Sequence, residues 1–201
     1  MNKTITSEIN VHLFEYTKPR LCGRAARACY DNGDKTEQDD IELTNKLLIA
    51  QHMEPLENSH LYFECLIPKY VASQLNRHRV GIGRCQQSLR LSLAKPLFFW
   101  PDDVPLFEDD MTIIAQAIAL IDDLKNANRR EREIRQRLIP DNLMVQYRTW
   151  MNFREFLQLI DKRLTVHAQK ECKAVVQRMV DCVMMTEWSE ILNEHMTRVP
   201  F

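Results

Sequence analysis

Glycine is scarce in this chain, and the scarcity limits what the chain can fold into more than any other feature does. Only four glycines occur among 201 residues, and two of them, Gly81 and Gly83, lie almost together. Arg84 follows directly, so the third glycine of a dinucleotide-binding fingerprint is missing. The sequence therefore argues against a glycine-rich phosphate loop and against a dinucleotide-binding fingerprint.

Length and charge narrow the class of protein further. The length suits one domain, and we expect a single domain over residues 1–201. Apolar residues make up 45 % of the chain, which is enough for a full core. The net charge of −1 argues against a generic polyanion binder, so we expect no nucleic-acid partner, although a local basic cluster could still hold one phosphate.

Neither a membrane segment nor a secretion signal is evident. Apolar runs are too short to cross a bilayer, and residues 1–5 lack the apolar core of a signal peptide. We therefore expect no membrane partner and a cytoplasmic location. The six cysteines form no Cys-x-x-Cys pair, which predicts reduced thiols and no metal site.

The hydrophobic pattern predicts a helix-rich α+β fold with a small sheet. An edge strand is expected at residues 8–13 and a half-buried strand at 60–66, where Leu61, Phe63 and Cys65 alternate with more polar residues. A turn at 32–34, a polar loop to Asp39 and an irregular loop at 80–88 are also predicted. Helices are expected over 21–30, from an N-cap at Asp40 to Pro55, from Pro68 to about Arg79, from about Asp110 to Leu138, and near 151–163, 166–184 and 187–196.

The densest group of reactive side chains lies between residues 74 and 90. It begins with Gln74 and the triplet 77–79 (Arg-His-Arg), and it ends, after the two glycines, with residues 86–90 (Gln-Gln-Ser-Leu-Arg). Guanidinium forks match phosphate oxygens and the planar edges of bases or flavins, and a serine hydroxyl can complete a phosphate site. A solvated basic helix end that pairs with surface acids is the alternative on spacing alone.

A second polar group lies on an otherwise apolar helix near the C-terminus. Eleven residues separate Asn152 from Arg163, which is close to three turns at roughly 100° per residue, so the two share a helix face. Arg154 and Gln158 are neighbours on the same helix, four residues apart. This stripe could line a ligand pocket or simply form the exposed face of an amphipathic helix. A third segment, residues 52–58, could be only a helix end followed by a turn.

Taken in order, these three groups resemble the signature of the flavin-dependent thymidylate synthases of the ThyX type. That family carries Arg-His-Arg, a short spacer and then Ser-x-Arg, with a Gln three residues ahead of the triplet. The resemblance covers roughly residues 20–180. The matching segments are His52-Met53-Glu54-Pro55-Leu56-Glu57, Gln74, Arg77-His78-Arg79, Ser88-Leu89-Arg90, Asn152-Phe153-Arg154, Arg163 and Ala168-Gln169-Lys170-Glu171.

Several positions depart from the family pattern and indicate a divergent member. The spacer before Ser88 is one residue longer than usual, Gln86 stands where the family has a glutamate, and Leu91 replaces an aromatic residue. The family's arginine four residues before a proline falls on Gln136, ahead of Pro140. Three nearby arginines could substitute for it: Arg132, Arg135 and Arg137.

The resemblance implies an FAD-dependent nucleotide methyltransferase that converts dUMP to dTMP. It implies methylenetetrahydrofolate as the carbon donor and NADPH as the reductant, both acting as co-substrates. It also implies a helix-rich, α+β single domain with a small, mostly antiparallel sheet. Four identical chains would assemble into a homotetramer with the active sites between subunits.

The resemblance also assigns roles to individual residues. Arg163 would be the catalytic residue, since its guanidinium would favour an ionised pyrimidine N3 and so activate C5. The residues implied for FAD are Glu54, Arg77, His78, Arg79, Asn152, Phe153, Arg154 and Gln158. The residues implied for the pyrimidine deoxynucleotide are Gln74, Arg77, Gln86, Gln87, Ser88, Leu89, Arg90 and Arg163.

Two alternatives remain open at this point. Gln86 and the longer spacer motivate a C5-hydroxymethylase or another C5 modification of dUMP or dCMP, as a phage might use; such a protein would act in the host cytoplasm. Gln86 fits either base, because an amide can donate or accept a hydrogen bond. Gln136 motivates a non-catalytic relative that binds flavin or nucleotide without turnover.

Overall fold

The computed structural model describes residues 4–29, 35–91 and 95–198, which form fourteen strands and α-helices. Two short 3-10 helices, Glu54–Asn58 and Gln136–Leu138, lie between them. In chain order the elements are β1 Ile5–Thr6, β2 Asn10–Tyr16, α1 Arg20–Arg27, α2 Glu37–Ile49, β3 Leu61–Pro68, α3 Lys69–Leu75, β4 Ile82–Gln86, β5 Phe98–Phe99, α4 Glu108–Asn126, α5 Arg129–Arg135, β6 Met144–Met151, α6 Phe153–Arg163, α7 Lys170–Met184 and α8 Ser189–Arg198.

Four of the strands form an antiparallel sheet in the order β2-β3-β6-β4, and β1 pairs separately with β5 in parallel. Successive side chains of a strand alternate between the two faces of a sheet. In β3 and β6, Phe63 pairs with Thr149 and Cys65 pairs with Tyr147, and all four side chains are buried on the same face. This confirms the predicted helix-rich α+β fold with a small, mostly antiparallel sheet.

The core lies between the sheet and the C-terminal helices. Phe63 of β3 packs on Phe156 of α6 at 5.8 Å between ring centroids, and Phe153 stacks on Trp188 at 3.8 Å. The indole nitrogen of Trp188 donates to the carbonyl of Thr17 at 2.7 Å, which satisfies its one polar atom inside the core. These contacts attach α6 to the sheet, and α6 is the helix that ends at Arg163.

Most of the predicted elements are present. The strand expected at 8–13 is β2 at the sheet edge, the one at 60–66 is β3, and the helix at 21–30 is α1. The three C-terminal helices also lie close to their predicted positions. The turn predicted at 32–34 lies outside the described residues. None of the described helices is both long and apolar enough to span a membrane.

The start of α2 was predicted wrongly. Thr36, not Asp40, is the N-cap: its hydroxyl accepts from the Asp39 backbone N–H at 3.2 Å, and the Asp39 carboxylate accepts from the Thr36 N–H at 2.9 Å. This reciprocal capping box starts the helix where a polar loop was expected. Asp40 is instead buried and pairs with Arg27 at 2.5 Å.

The region around the two glycines also differs from its prediction. Residues 82–86, expected to be a loop, form β4, and the helix expected to reach Arg79 ends at Leu75. A side chain at Gly83 would lie only 2.0 Å from the Trp150 ring, so the glycine is required by close packing across the strand pair and not by a loop. The partner strand β6 was not predicted at all.

The long helix expected from Asp110 to Leu138 is divided in two. Helix α4 ends at Asn126, and Asn128 caps α5 by accepting from the Glu131 N–H at 3.0 Å. The Glu131 carboxylate in turn accepts from the Asn128 N–H at 2.9 Å. A second capping box therefore stabilises a new helix start inside a sequence that is periodic enough to suggest one helix.

Candidate functional site

Arg163, at the C-terminal end of α6, reaches across to the end of α3. Its Nε donates to Nε2 of His78 at 2.9 Å, its Nη1 donates to Oε1 of Gln74 at 3.2 Å, and its Nη2 donates to the Gln74 carbonyl at 3.0 Å. Gln74 also contacts the side chain of Gln169 through a hydrogen bond. We call these four residues the Arg163 network; it unites two groups that lie far apart in the sequence.

His78 is neutral at physiological pH in this network. Burial lowers its pKa to about 4, and the charges of Arg163 and Lys162 act in the same direction. Because Nε2 accepts the hydrogen bond from Arg163, the ring proton belongs on Nδ1. A neutral imidazole thus orients the guanidinium without adding a second positive charge beside it.

A second chain of hydrogen bonds holds the end of β4. The Tyr147 hydroxyl donates to Oδ1 of Asn76 at 3.2 Å, and Nδ2 of Asn76 donates to Oε1 of Gln86 at 3.3 Å. Burial raises the pKa of Tyr147 to about 12, so the hydroxyl keeps its proton. The side-chain oxygen of Gln86 thus accepts one hydrogen bond from Asn76, and its NH2 group can donate. Sequence reasoning missed Asn76 and Tyr147, and no spacing signal connects them.

Gln87 extends the pairing with β6 one residue beyond the end of β4. Its backbone N–H donates to the Gln146 carbonyl at 2.8 Å, and its side-chain oxygen accepts from the Gln146 N–H at 3.2 Å. Leu89 is buried against the core. Together these contacts determine the direction in which Ser88 and Arg90 point.

Ser88 and Arg90 line an open polar cavity of about 340 Å³, which we call the arginine cavity. Among the described residues its other lining members come from the segment around α5: Arg130, Glu133, Gln136 and Arg137. Sequence reasoning missed Arg130 and Glu133, although the density of charge between residues 129 and 137 is a signal that could have pointed to them.

The three arginines that could take the place of the family arginine missing at position 136 lie in different surroundings. Arg137 lines the arginine cavity. Arg135 instead pairs with Asp123 at 3.3 Å, and Nη2 of Arg132 donates to the Lys125 carbonyl at 2.8 Å. Arg137 is therefore the one of the three that is placed beside Ser88 and Arg90.

The residues around the start of α6 divide into partly exposed and buried positions. Oδ1 of Asn152 caps the helix by accepting from the Glu155 N–H at 2.9 Å, and Arg154 pairs with Glu57 at 2.5 Å. The Phe153 side chain is fully buried against Trp188, so it lies in the core and not on a pocket wall. The side chain of Phe153, which the resemblance implied for FAD, therefore makes a core contact.

The remaining predicted residues lie at the surface or close to it. Arg77 and Arg79 are exposed after the end of α3, Glu54 is exposed, and Gln158 is half-buried on α6. The backbone carbonyl of His78, between the two arginines, accepts from Nη1 of Arg84 at 2.7 Å, which fixes the triplet against β4. Across the described part of the chain, no three His, Cys, Asp or Glu side chains are grouped as metal ligands.

Comparison with known proteins identifies the family. The flavin-dependent thymidylate synthase of Thermosipho melanesiensis is 29 % identical over 168 residues, which cover 74 % of this chain and 73 % of the relative. That of Treponema denticola is 28 % identical over 185 residues, covering 79 % and 68 %. A family model described as "Thymidylate synthase complementing protein" matches residues 12–186. The chain belongs to the flavin-dependent thymidylate synthase family.

Solved structures agree with this family assignment at the level of the fold. The UMP/dUMP methylase PolB from Streptomyces cacaoi, bound with 5-Br UMP, superposes with a TM-score of 0.70 at 18 % identity and covers 98 % of this chain and 97 % of that one. Thymidylate synthase X from Helicobacter pylori, with FAD and dUMP, gives 0.65 at 18 % identity, covering 92 % and 99 %. The family model and the relatives, and not these folds, make the protein a thymidylate synthase-like methyltransferase, as the sequence motifs predicted.

Proposed function

We propose that the protein methylates C5 of dUMP to give dTMP, with FAD as cofactor, methylenetetrahydrofolate as carbon donor and NADPH as reductant. The observation that carries the proposal is the Arg163 network, in which a permanent cation is oriented by Gln74 and by a neutral His78. The names of the relatives in Thermosipho melanesiensis and Treponema denticola support the reaction class.

The donor groups available fit FAD. The side chains of Arg77 and Arg79 are exposed, and among the described residues neither guanidinium has a hydrogen-bond or ion-pair partner, so both could bind a pyrophosphate. Nδ2 of Asn152 lies beside Gly81, which has a φ of +61° and packs so closely against Glu155 that a side chain there would collide with it. FAD would supply hydride transfer, and Arg77, His78, Arg79, Asn152, Arg154 and Gln158 would hold and orient it.

The chain's own residues would position the nucleotide. Ser88, Arg90 and Arg137 would bind the phosphate in the arginine cavity. Arg163 would face the base and stabilise negative charge that develops on the pyrimidine, because a fixed cation in a partly buried site needs no reorganisation during the reaction. Gln74 and His78 act as positioning residues, since they hold this guanidinium in place.

Mass analysis of the product tests the reaction directly. The FAD-loaded protein is incubated with NADPH, methylenetetrahydrofolate and either dUMP or dCMP, and we expect dUMP alone to gain one methyl group. Gln86 motivates a second candidate, C5 hydroxymethylation of dUMP or dCMP, because its side-chain NH2 group can donate to an acceptor on either base. A hydroxymethyl product would support that candidate, and bound flavin without turnover would support a non-catalytic relative.

We also propose that the protein is a single domain and that four copies of it form a homotetramer. Its location in the cytoplasm remains a prediction. Light scattering of the FAD-loaded protein should give the mass of four chains. The reason is that Arg77 and Arg79 project from the surface of one chain, and the stacked rings of Tyr62 and Trp150 lie on the sheet face opposite the helices. A monomer that still holds FAD tightly would contradict this expectation.

Substitution of Arg137 tests the arginine cavity. Arg137→Ala should weaken dUMP binding about 10- to 150-fold, because losing a hydrogen bond to a charged group costs roughly 1.5–3 kcal/mol. Arg135→Ala is the matched control: it removes the same charge two residues away, but Arg135 pairs with Asp123 outside the cavity. Equal affinities of the two variants in a calorimetric titration would exclude Arg137 from the phosphate site.

A further inference from the structure

Among the described residues that line the arginine cavity, one is a carboxylate, Glu133. Its Oε1 lies 3.4 Å from Nη1 of Arg90 and 3.4 Å from Nε of Arg129, and its Oε2 lies 3.4 Å from Nη1 of Arg130. The carboxylate thus stands where an anionic ligand would stand, between the arginine that follows Ser88 and those of α5.

The ion pairs of Glu133 are easy to exchange. All three distances are long, and the side chains of Arg129 and Arg130 are 78 % exposed, so each pair contributes little in water. Desolvation opposes ionisation, but the hydrogen bonds from Arg130 and Arg129 and the charge of Arg90 prevail and hold the pKa of Glu133 below its usual range. The carboxylate is therefore charged, and it competes for the guanidiniums at any physiological pH.

The charges of the cavity support exchange with a phosphate monoester. Three guanidiniums, those of Arg90, Arg130 and Arg137, face a single carboxylate, so a doubly charged anion that displaces Glu133 would still meet a net positive site. A phosphate group can also accept two parallel hydrogen bonds from Arg90 and a further one from Ser88, which are shorter and stronger than the 3.4 Å contact it replaces.

We propose that Glu133 is an internal competitor for the phosphate site: its carboxylate pairs with Arg90, and the phosphate group of the nucleotide displaces it from that pair on binding. This inference rests on the proposed function for the identity of the natural occupant. Its consequence is that a free phosphate ion, which gains nothing from contacts to the base, occupies the cavity poorly. Occupancy then depends on the whole nucleotide.

Titration of inorganic phosphate into the FAD-loaded protein tests the competitor. Glu133→Gln should bind phosphate about tenfold more tightly, because a like charge a few ångströms from the anion has been removed. Dimethyl phosphate, which carries one charge, should gain less than the doubly charged ion. Asp123→Asn is the matched control, since it removes one negative charge from α4 outside the cavity, and its affinity should stay within about twofold of wild type.

Further variants test whether the gain in phosphate affinity depends on Arg90. Arg90→Ala in the Glu133→Gln background should abolish the gain, whereas Glu133→Asp, whose shorter carboxylate withdraws from Arg90, should give a smaller gain than Glu133→Gln. Unchanged or weaker phosphate binding by Glu133→Gln would overturn the inference, as would a gain that survives Arg90→Ala. Phosphate binding does not require turnover, so absent dUMP methylation with an intact phosphate effect would overturn the proposed function alone.

Discussion

Replacing Arg163 with alanine is expected to slow single-turnover flavin oxidation, measured with dUMP and methylenetetrahydrofolate present, by about a hundredfold or more. A fixed guanidinium that stabilises a developing anion contributes roughly 3 kcal/mol to the transition state. The structure adds that this guanidinium is held by three hydrogen bonds to Gln74 and His78. Arg163→Lys should recover only part of the rate, because an ammonium keeps the charge but cannot reproduce the planar fork.

The pKa of His78 reports whether the contact with Arg163 exists as described. Arg163→Ala should raise this pKa above its value of about 4, because the neighbouring positive charge is one of its causes. Histidine ring signals in an NMR titration measure the change. Arg178→Ala, which removes an exposed arginine of α7, is the control and should alter neither the rate nor the pKa. A rate for Arg163→Ala within about threefold of wild type would remove Arg163 from the active site.

Gly23→Ala is expected to cost about 3 kcal/mol in the free energy of unfolding, at the upper end of overpacking effects. A Cβ at Gly23 of α1 would lie 1.9 Å from the backbone carbonyl oxygen of Asp40 in α2. A backbone atom cannot turn aside as a side chain can, so the two helices must move apart. Urea unfolding of the purified variant, followed by circular dichroism, measures the loss.

Two comparisons separate this packing effect from other causes. Ala25→Ser, on the exposed side of the same helix, should change the free energy of unfolding by about 0.5 kcal/mol or less. The folded fraction of Gly23→Ala should still bind FAD, since Gly23 belongs neither to the Arg163 network nor to the arginine cavity. A stability of Gly23→Ala equal to that of Ala25→Ser would show that α1 and α2 pack less closely than described.

Local pattern was sufficient for much of the fold. Strand β3 follows from the alternation of Leu61, Phe63 and Cys65, and α6 follows from its apolar spacing. Strand β6 carries the same kind of signal, since Val145, Tyr147 and Thr149 alternate with the more polar Gln146 and Arg148, and it could have been predicted. Strand β4 could not, because its glycine is explained only by a tryptophan on the neighbouring strand.

The candidate site also has some features that the local sequence predicts and others that only the tertiary structure reveals. The spacing of Asn152 and Arg163 places both on one helix, as predicted, yet nothing local indicates that Arg163 meets Gln74 and His78 more than eighty residues away. Phe153 matches the family motif, but its side chain packs in the core against Trp188. A position in a motif does not reveal which way the side chain points.

The sequence by itself determined the family of this protein and the residue types of its site, because these reside in short motifs whose spacing is read along one chain. Only the tertiary structure decided which arginine accompanies Ser88 and Arg90. Arg135 and Arg137 are two residues apart and carry the same charge, so no sequence rule separates them. The capping box at Asn128 starts a new helix that ends at Arg135, which pairs with Asp123, and the 3-10 helix that follows places Arg137 at the cavity.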